Sequence, residues 1–275
     1  MNPALNYSPK DLFVYWVEER QRVYLKKEVG LPKPWSDNKV FQTTYFCNVD
    51  REQDRVTKWI REFYSPHVYH KDFLANIILA RMVNKPETLD QLGYMDDFDH
   101  PNWLRVMSQK GAWGSAYIVS TNGRAQPKHE YVAGLLLSAF ERFRRLPHPT
   151  GRPLLSVAAS AIQGLQGMGT FMAGQVVADL KNTPDHWLWD AEGWWSWAAP
   201  GPGSMRGLSR FHEAPVTPAN FTEALANARG WCHTNSAGLV DKLCNQNLQN
   251  CFCEFDKFAR VTLGSGRSKR KYNGN

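Results

Sequence analysis

Three groups of side chains in this sequence have the types and spacing for chemistry. The first are carboxylates able to accept a proton: Asp179, Asp190 and Glu254. Glu254 and Lys257 stand three residues apart, on one face of an expected helix. The neighbouring Phe255 and Phe258 would partly bury the carboxylate and make it more basic; the alternative is a surface ion pair. The second group is Gly201-Pro202-Gly203-Ser204 followed by Arg206. Backbone N–H groups of a Gly-rich turn beside a guanidinium make a seat for an anion, and a plain surface turn is the alternative. The third is Asn48, Arg51 and Asp54, expected on a loop and the following first helical turn, where helix capping and a local Arg–Asp pair are the competing explanation. The cysteines are not read as ligands. Cys244, Cys251 and Cys253 begin with a cluster-like spacing but do not continue it, and two cysteines two apart on a helix point to different sides. Free buried thiols are expected, with no metal site and no cofactor, and His67-x-x-His70 is expected to be structural.

A different kind of site lies at residues 162–180, which read as helix, tight turn, helix. Leu165-Gln166-Gly167-Met168-Gly169 supplies the turn, because two glycines spaced by one residue allow it without Cβ clashes. The turn directs backbone N–H groups outward at the positive start of the next helix. Gln166, Gly167, Met168, Gly169 and Thr170 would therefore hold a DNA phosphate without reading sequence. The small Ala173 favours this helix-hairpin-helix reading over a ligand-free turn, and Met168, Phe171 and Val176 are expected to pack the two helices together.

The elements that must position these groups are mainly helical. Ser8-Pro9 reads as cap and first position of a helix through about residue 28, with Leu12, Tyr15, Trp16 and Val23 on one face. Asp50 caps a second helix carrying Val56, Trp59, Ile60 and Phe63 inward. Further helices are expected over about 71–83, from Pro86, over about 128–145, after Thr217-Pro218, and over about 237–260. Ala116 to Ser120 with Asn122-Gly123 signals at most a small hairpin. Residues 182–215, rich in Trp, Gly and Pro, read as irregular. The fold class is all-α, with one unit of two helical lobes, about 1–146 and 154–275, around a cleft and joined at the Pro-rich 146–153.

The 275 residues carry a formal charge of +7, which favours an anionic partner such as nucleic acid. Arg267, Lys269, Arg270 and Lys271 close the chain as a basic tail suited to phosphate contact. Eleven Trp residues serve either a Trp-rich core or the stacking of flat ligands. No apolar run is long enough for a signal peptide or a membrane span, so a reducing cytoplasm is expected.

Four stretches carry a resemblance across nearly the whole chain: Lys33-Pro34-Trp35-Ser36-Asp37; Tyr45-Phe46-Cys47-Asn48-Val49-Asp50 on to Thr57; Gly201 to Leu208; and Cys253-Glu254-Phe255-Asp256-Lys257-Phe258 with the basic tail. In order and spacing they resemble the phage thymidine-hypermodification proteins. These are the α-glutamyl/putrescinyl thymine pyrophosphorylases, or amino acid:DNA transferases, to which the helical domain of the 5-hydroxymethyluracil DNA kinases is related. The resemblance implies a helix-hairpin-helix, DNA-glycosylase-like fold. It implies a double-stranded DNA substrate with a (pyro)phosphorylated 5-hydroxymethyluracil, made by a kinase acting earlier. An amino acid or polyamine would then replace the phosphate, in the bacterial host cytoplasm during infection. Under that reaction Asn48 would read a pyrimidine edge and Arg51 hold a phosphate oxygen. Gly203, Ser204 and Arg206 would receive the leaving group, Asp54 and Lys257 would complete the substrate site, and Asp190, Glu254 or Asp179 would serve as base. Asp190 lies 21 residues after Gly169, near the place of the catalytic Asp in helix-hairpin-helix glycosylases, so a glycosylase or lyase is one alternative. A non-catalytic DNA-binding module is the other. A phosphate-wrapping Gly-x-x-x-x-Gly-Lys-Ser/Thr loop is absent from the sequence.

Overall fold

The computed structural model describes residues 7–116, 119–144, 151–235 and 238–266. Among them are twelve α-helices: α1 (Pro9–Glu28), α2 (Lys39–Thr43), α3 (Arg55–Tyr64), α4 (Phe73–Val83), α5 (Pro86–Leu92), α6 (His100–Met107), α7 (Lys128–Phe143), α8 (Leu155–Gln163), α9 (Thr170–Lys181), α10 (Pro202–His212), α11 (Phe221–Asn235) and α12 (Asn245–Thr262). The protein is therefore mainly helical, as its periodicity indicated. Local signals explain several ends. The Ser8 side chain accepts a hydrogen bond from the Asp11 N–H with Pro9 in the first turn, and Gly30, at φ +72°, lies just past the end of α1.

The helices form two compact units. One comprises residues 1–54 with 195–275; the other comprises 55–194. This differs from the sequential lobes expected from the Pro-rich stretch, of which 145–150 lie outside the described residues. The reason is apolar. Leu12, Phe13, Trp16 and Val17 of α1 join one core with Leu208 and Phe211 of α10 and with Phe252, Phe255 and Phe258 of α12. Phe13 stacks on Phe252 at 4.1 Å and meets Phe211 and Phe255 edge-on. Burying these faces together packs α1 onto α10 and α12.

In the first unit α10 occupies residues expected to be irregular. Gly201 caps it and Pro202 starts it. The Ser204 hydroxyl closes back on Gly201, donating to the carbonyl at 3.0 Å and accepting from the N–H at 3.2 Å. Gly203 and Gly207, four apart, form the face that lies on α12. A Cβ at Gly207 would run into the Phe252 carbonyl, and one at Gly203 into the Cys253 sulfur. Gly207→Ala is accordingly expected to cost about 1–3 kcal/mol through backbone overpacking. Gly230→Ala, in α11 with open space around the new methyl, should instead stabilise by about 0.4–1 kcal/mol. Urea midpoints of the two variants moving the same way would overturn this assignment of the α10–α12 contact.

The second unit is built on α4, buried from Ala75 to Val83 and packed by α3, α5, α7 and α9. Its buried Asn76 is satisfied by the Asp72 and Met95 carbonyls and the Met95 N–H. Asp50 caps only a 3₁₀ turn at Arg51–Gln53, and α3 begins after it. In the expected hairpin, residues 117 and 118 lie outside the described residues. Asn122 and Gly123 do take the left-handed conformations of a tight turn, φ 52° and 77°. No strand flanks them among the described residues, in which Leu154 and Glu192 form an isolated parallel bridge. The final helix begins at Asn245, because Val240–Lys242 form a separate 3₁₀ turn. None of the described helices is long and apolar enough to cross a membrane.

Candidate functional site

The first unit holds a cleft of about 430 Å³ whose lining includes Arg20, Lys27, Lys33, Trp35, Tyr45 and Phe46. Three elements build it. Arg20, Val23 and Lys27 fall on one face of α1 through their spacing of three and four. The segment 31–37 crosses that face: the Lys26 ammonium donates to the Trp35 carbonyl at 3.0 Å, and the Ser36 hydroxyl donates to Glu19 at 2.5 Å. From α2, Gln42 donates to the Ser36 carbonyl at 2.7 Å. The lining holds three cationic side chains and no carboxylate, so it favours an anion. Its aromatic members offer flat faces, and the Lys33 ammonium lies 5.1 Å from the Trp35 ring centre.

From the wall of this cleft a hydrogen-bond network leads to several residues singled out in the sequence. Arg20 donates to the Cys47 carbonyl at 2.9 Å and to the Asn48 side-chain oxygen. The Asn48 amide donates to the Gln53 carbonyl at 2.9 Å, and its N–H donates to Asp54 at 2.9 Å. The Cys47 N–H donates to Glu254 Oε2 at 3.1 Å; Lys257 binds the same oxygen at 2.7 Å and the Tyr45 carbonyl at 3.1 Å. Glu254 is therefore one peptide unit away from the cleft wall, and its Oε1 accepts no hydrogen bond from the described residues. Burial pulls the Arg20 guanidinium down from its ordinary range, opposed chiefly by Asp54, while burial pushes Asp54 up against the pull of the Asn48 N–H and Arg51. The Cys47 thiol is driven well up, by burial and then by Glu254, the reverse of an activated nucleophile.

Thus Asn48, Arg51, Asp54, Glu254 and Lys257 are gathered in one region, but with different freedom. Both polar ends of Asn48 are spent on holding the 45–54 loop, so it presents no free edge to a pyrimidine. Arg51 is buried, and its N–H is held by Asn247 at 3.3 Å. The Gly201 turn is not an open nest. Ser204 is fully buried and Gly203 packs against Cys253, because the turn begins a helix pressed onto α12. Arg206 points elsewhere, to Asp256 at 2.9 Å. Asp190 is a surface carboxylate paired with Arg152 at 2.7 Å. Asp179 is buried and bound through both oxygens by the buried Arg81. That commitment removes it from proton transfer. No group of three or more His, Cys, Asp or Glu among the described residues is arranged to hold a metal ion.

In the second unit α8 and α9 pack as consecutive helices joined by residues 164–169. Leu165 and Met168 are buried, whereas Gln166, Gly167 and Gly169 are exposed and Thr170 is half-buried. Gly167 has φ +93°, and a Cβ there would sit 2.7 Å from the Tyr131 hydroxyl. Glycine is thus favoured by conformation, and a side chain there would also displace the Tyr131 hydroxyl. Gly169 caps α9 in extended conformation, leaving the first-turn amides without helical acceptors. Exposed Arg124 and Arg142 belong to the same neighbourhood. Arg124 lies over the Tyr131 ring at 5.7 Å, and Arg142 reaches Gly164 at the end of α8. The basic tail, Arg267, Lys269, Arg270 and Lys271, lies outside the described residues.

The residues that sequence reasoning missed are Arg20 and Lys27. Their signal was present, two cations on one helical face seven apart, but a charged stripe on a long helix is usually only a solvated surface. Trp35 and Tyr45 stood in the quoted motifs without an assigned role.

Comparison with known proteins agrees in part with the resemblance. A curated relative, the 5-hmdU DNA kinase of Bacillus phage SP10, is 27% identical over 249 aligned residues, covering 77% of this chain and 37% of the relative. The chain thus spans little more than a third of that relative's length. No solved structure matches it significantly. Residues 8–268 match the family described as "5-hmdU DNA kinase, helical domain", and on that extent the chain belongs to this family.

Proposed function

We propose that this protein acts on phage DNA containing 5-hydroxymethyluracil, replacing the (pyro)phosphate of a 5-(pyro)phosphomethyl base with the amine of an amino acid or polyamine. The observation that carries the reading is the cleft in which Arg20, Lys27 and Lys33 face aromatic Trp35 and Tyr45, one peptide from Glu254. The modified base leaves the duplex at a cost of a few kcal/mol. Stacking on an aromatic ring returns about 1–3 kcal/mol. The neutral amine nitrogen attacks the exocyclic carbon, and a C–N bond forms as the C–O bond breaks. The electron pair leaves with the (pyro)phosphate, whose charge the cleft cations stabilise. Glu254, the one of the three candidate carboxylates that lies beside the cleft, takes the amine proton. The turn between α8 and α9 seats a backbone phosphate, and a kinase acting earlier supplies the substrate.

The test supplies the protein with duplex carrying 5-phosphomethyl- or 5-pyrophosphomethyl-uracil and a mixture of amines, followed by nucleoside mass spectrometry. An amine adduct with stoichiometric release of (pyro)phosphate is expected. An abasic site would replace this reading by a glycosylase or lyase. A second reading is favoured by the relative's name and by the limited share of it that the chain spans: a module that presents 5-hydroxymethyluracil DNA to a phosphoryl-transfer centre carried elsewhere. Tight binding of the modified duplex with no product from any amine would establish that reading instead.

A further inference from the structure

A second cationic site lies in the first unit, away from the cleft. Asp256, 1% exposed, is ringed by three arginines: Arg206 at 2.9 Å, Arg210 at 3.1 Å and Arg260 at 3.1 Å. Each uses its Nε toward the carboxylate. A guanidinium has five N–H donors, and among the described residues the terminal nitrogens of all three donate to no other group. One carboxylate neutralises one of three cations, which leaves two positive charges on a small area. A single guanidinium can engage both oxygens of Asp256 in a bidentate pair, so three cations exceed what its charge calls for.

The pieces are placed by helix geometry. Arg206 and Arg210 are four apart on α10, and Asp256 and Arg260 are four apart on α12, so the close α10–α12 approach at Gly203 and Gly207 brings the arginines together. Gly266 leaves room for the Arg260 guanidinium, because a Cβ there would sit 2.8 Å from a terminal nitrogen. The Arg206 side chain is 57% exposed, with Arg210 and Arg260 at 33% and 29%. Two positions along a helix turn a side chain by about 200°, so Asp256 faces away from Glu254 and the cluster is separate from the cleft network.

The geometry points to a seat for a phosphodiester of the DNA backbone at the Arg206–Arg210–Arg260 cluster, held on the buried Asp256. Planar guanidiniums with paired donors match phosphate oxygens, and a backbone contact of this kind positions the duplex without reading its sequence. The inference rests on the reading that the protein acts on DNA.

The test measures affinity for unmodified and phosphomethyl-uracil duplexes across salt concentrations, comparing wild type with Arg206→Gln and Arg206→Gln/Arg210→Gln. Asp256 keeps Arg260 in both, so thermal midpoints should stay near wild type. The variants should weaken binding of both duplexes alike, by about 5–10-fold near 0.1 M salt for the first arginine lost, and flatten the slope of log K against log salt by about one in all, since a single phosphate contact is released. An unchanged slope and affinity would overturn the assignment while leaving the transfer reaction standing. A loss confined to the phosphomethyl duplex, or a loss of inhibition by inorganic pyrophosphate without a change of slope, would assign the cluster to the base phosphate or the leaving group and so overturn it too. Failure of wild type to bind any duplex would overturn both this inference and the proposed function.

Discussion

Glu254→Gln is expected to lower the turnover of the proposed amine transfer by about 10²–10⁴-fold, the usual contribution of a positioned general base. The substitution is chosen for what it preserves. Glutamine keeps an oxygen that can accept from the Cys47 N–H, now 3.1 Å away, and from Lys257 at 2.7 Å. The 45–47 segment of the cleft wall should therefore stay in place, and affinity for the modified duplex should change little. What is lost is the capacity to take a proton from the attacking amine. Single-turnover rates with saturating DNA, set beside binding isotherms, separate the two effects. Full turnover in the variant would remove Glu254 from the reaction. A parallel loss of affinity and rate would show that the carboxylate holds the cleft rather than serving as base. Lys257→Met is the informative companion. It removes the charge beside Glu254 and one tie to the Tyr45 carbonyl, so it should disturb binding more than the glutamine variant does.

The largest effect on stability is expected at Asp179. Asp179→Asn should destabilise the protein by about 3–5 kcal/mol, because it strands the buried Arg81 guanidinium without its counter-charge. Arg81 and Asp179 are each 2% exposed, and Arg81 also donates to Thr57 at 3.0 Å. The remaining hydrogen bonds do not offset a charge held away from water. Arg81→Met in the Asp179→Asn background should recover much of the loss, since removing both charges eliminates the uncompensated one. Urea unfolding of the single and double variants measures the coupling. A single-variant loss below about 1 kcal/mol, in the range of an exposed pair, would contradict the buried-pair assignment. The same variant also separates structure from chemistry at this position. Turnover per folded molecule should match wild type, which a catalytic Asp179 would not permit.

The sequence by itself determined the helical class, most helix starts and the tight turn between α8 and α9, because these depend on local rules. Ser8-Pro9, Lys85-Pro86 and the glycines at 167 and 169 act within one or two turns of chain, so caps, prolines and left-handed positions are legible without knowing what packs on them. The glycines of α10 show where that legibility stops. Gly203 and Gly207 look like turn residues in a Trp- and Pro-rich stretch. Only the approach of α12 shows that they are the smooth face of a helix, with Ser204 buried as its cap rather than offered to a ligand. The three candidate carboxylates divide in the same way. Local signals set Glu254 apart only by its pairing with Lys257 three residues on; they do not tell which of Asp179, Asp190 and Glu254 lies beside a cleft. Their partners stand 98 residues away at Arg81, 38 away at Arg152 and 207 away at Cys47. These make one a buried pair, one a surface pair and one a carboxylate beside a cationic cleft. Burial and charge pairing are properties of tertiary neighbours, so the fold's element list was written locally. Which residues are free to act was decided only when the first helix closed onto the last.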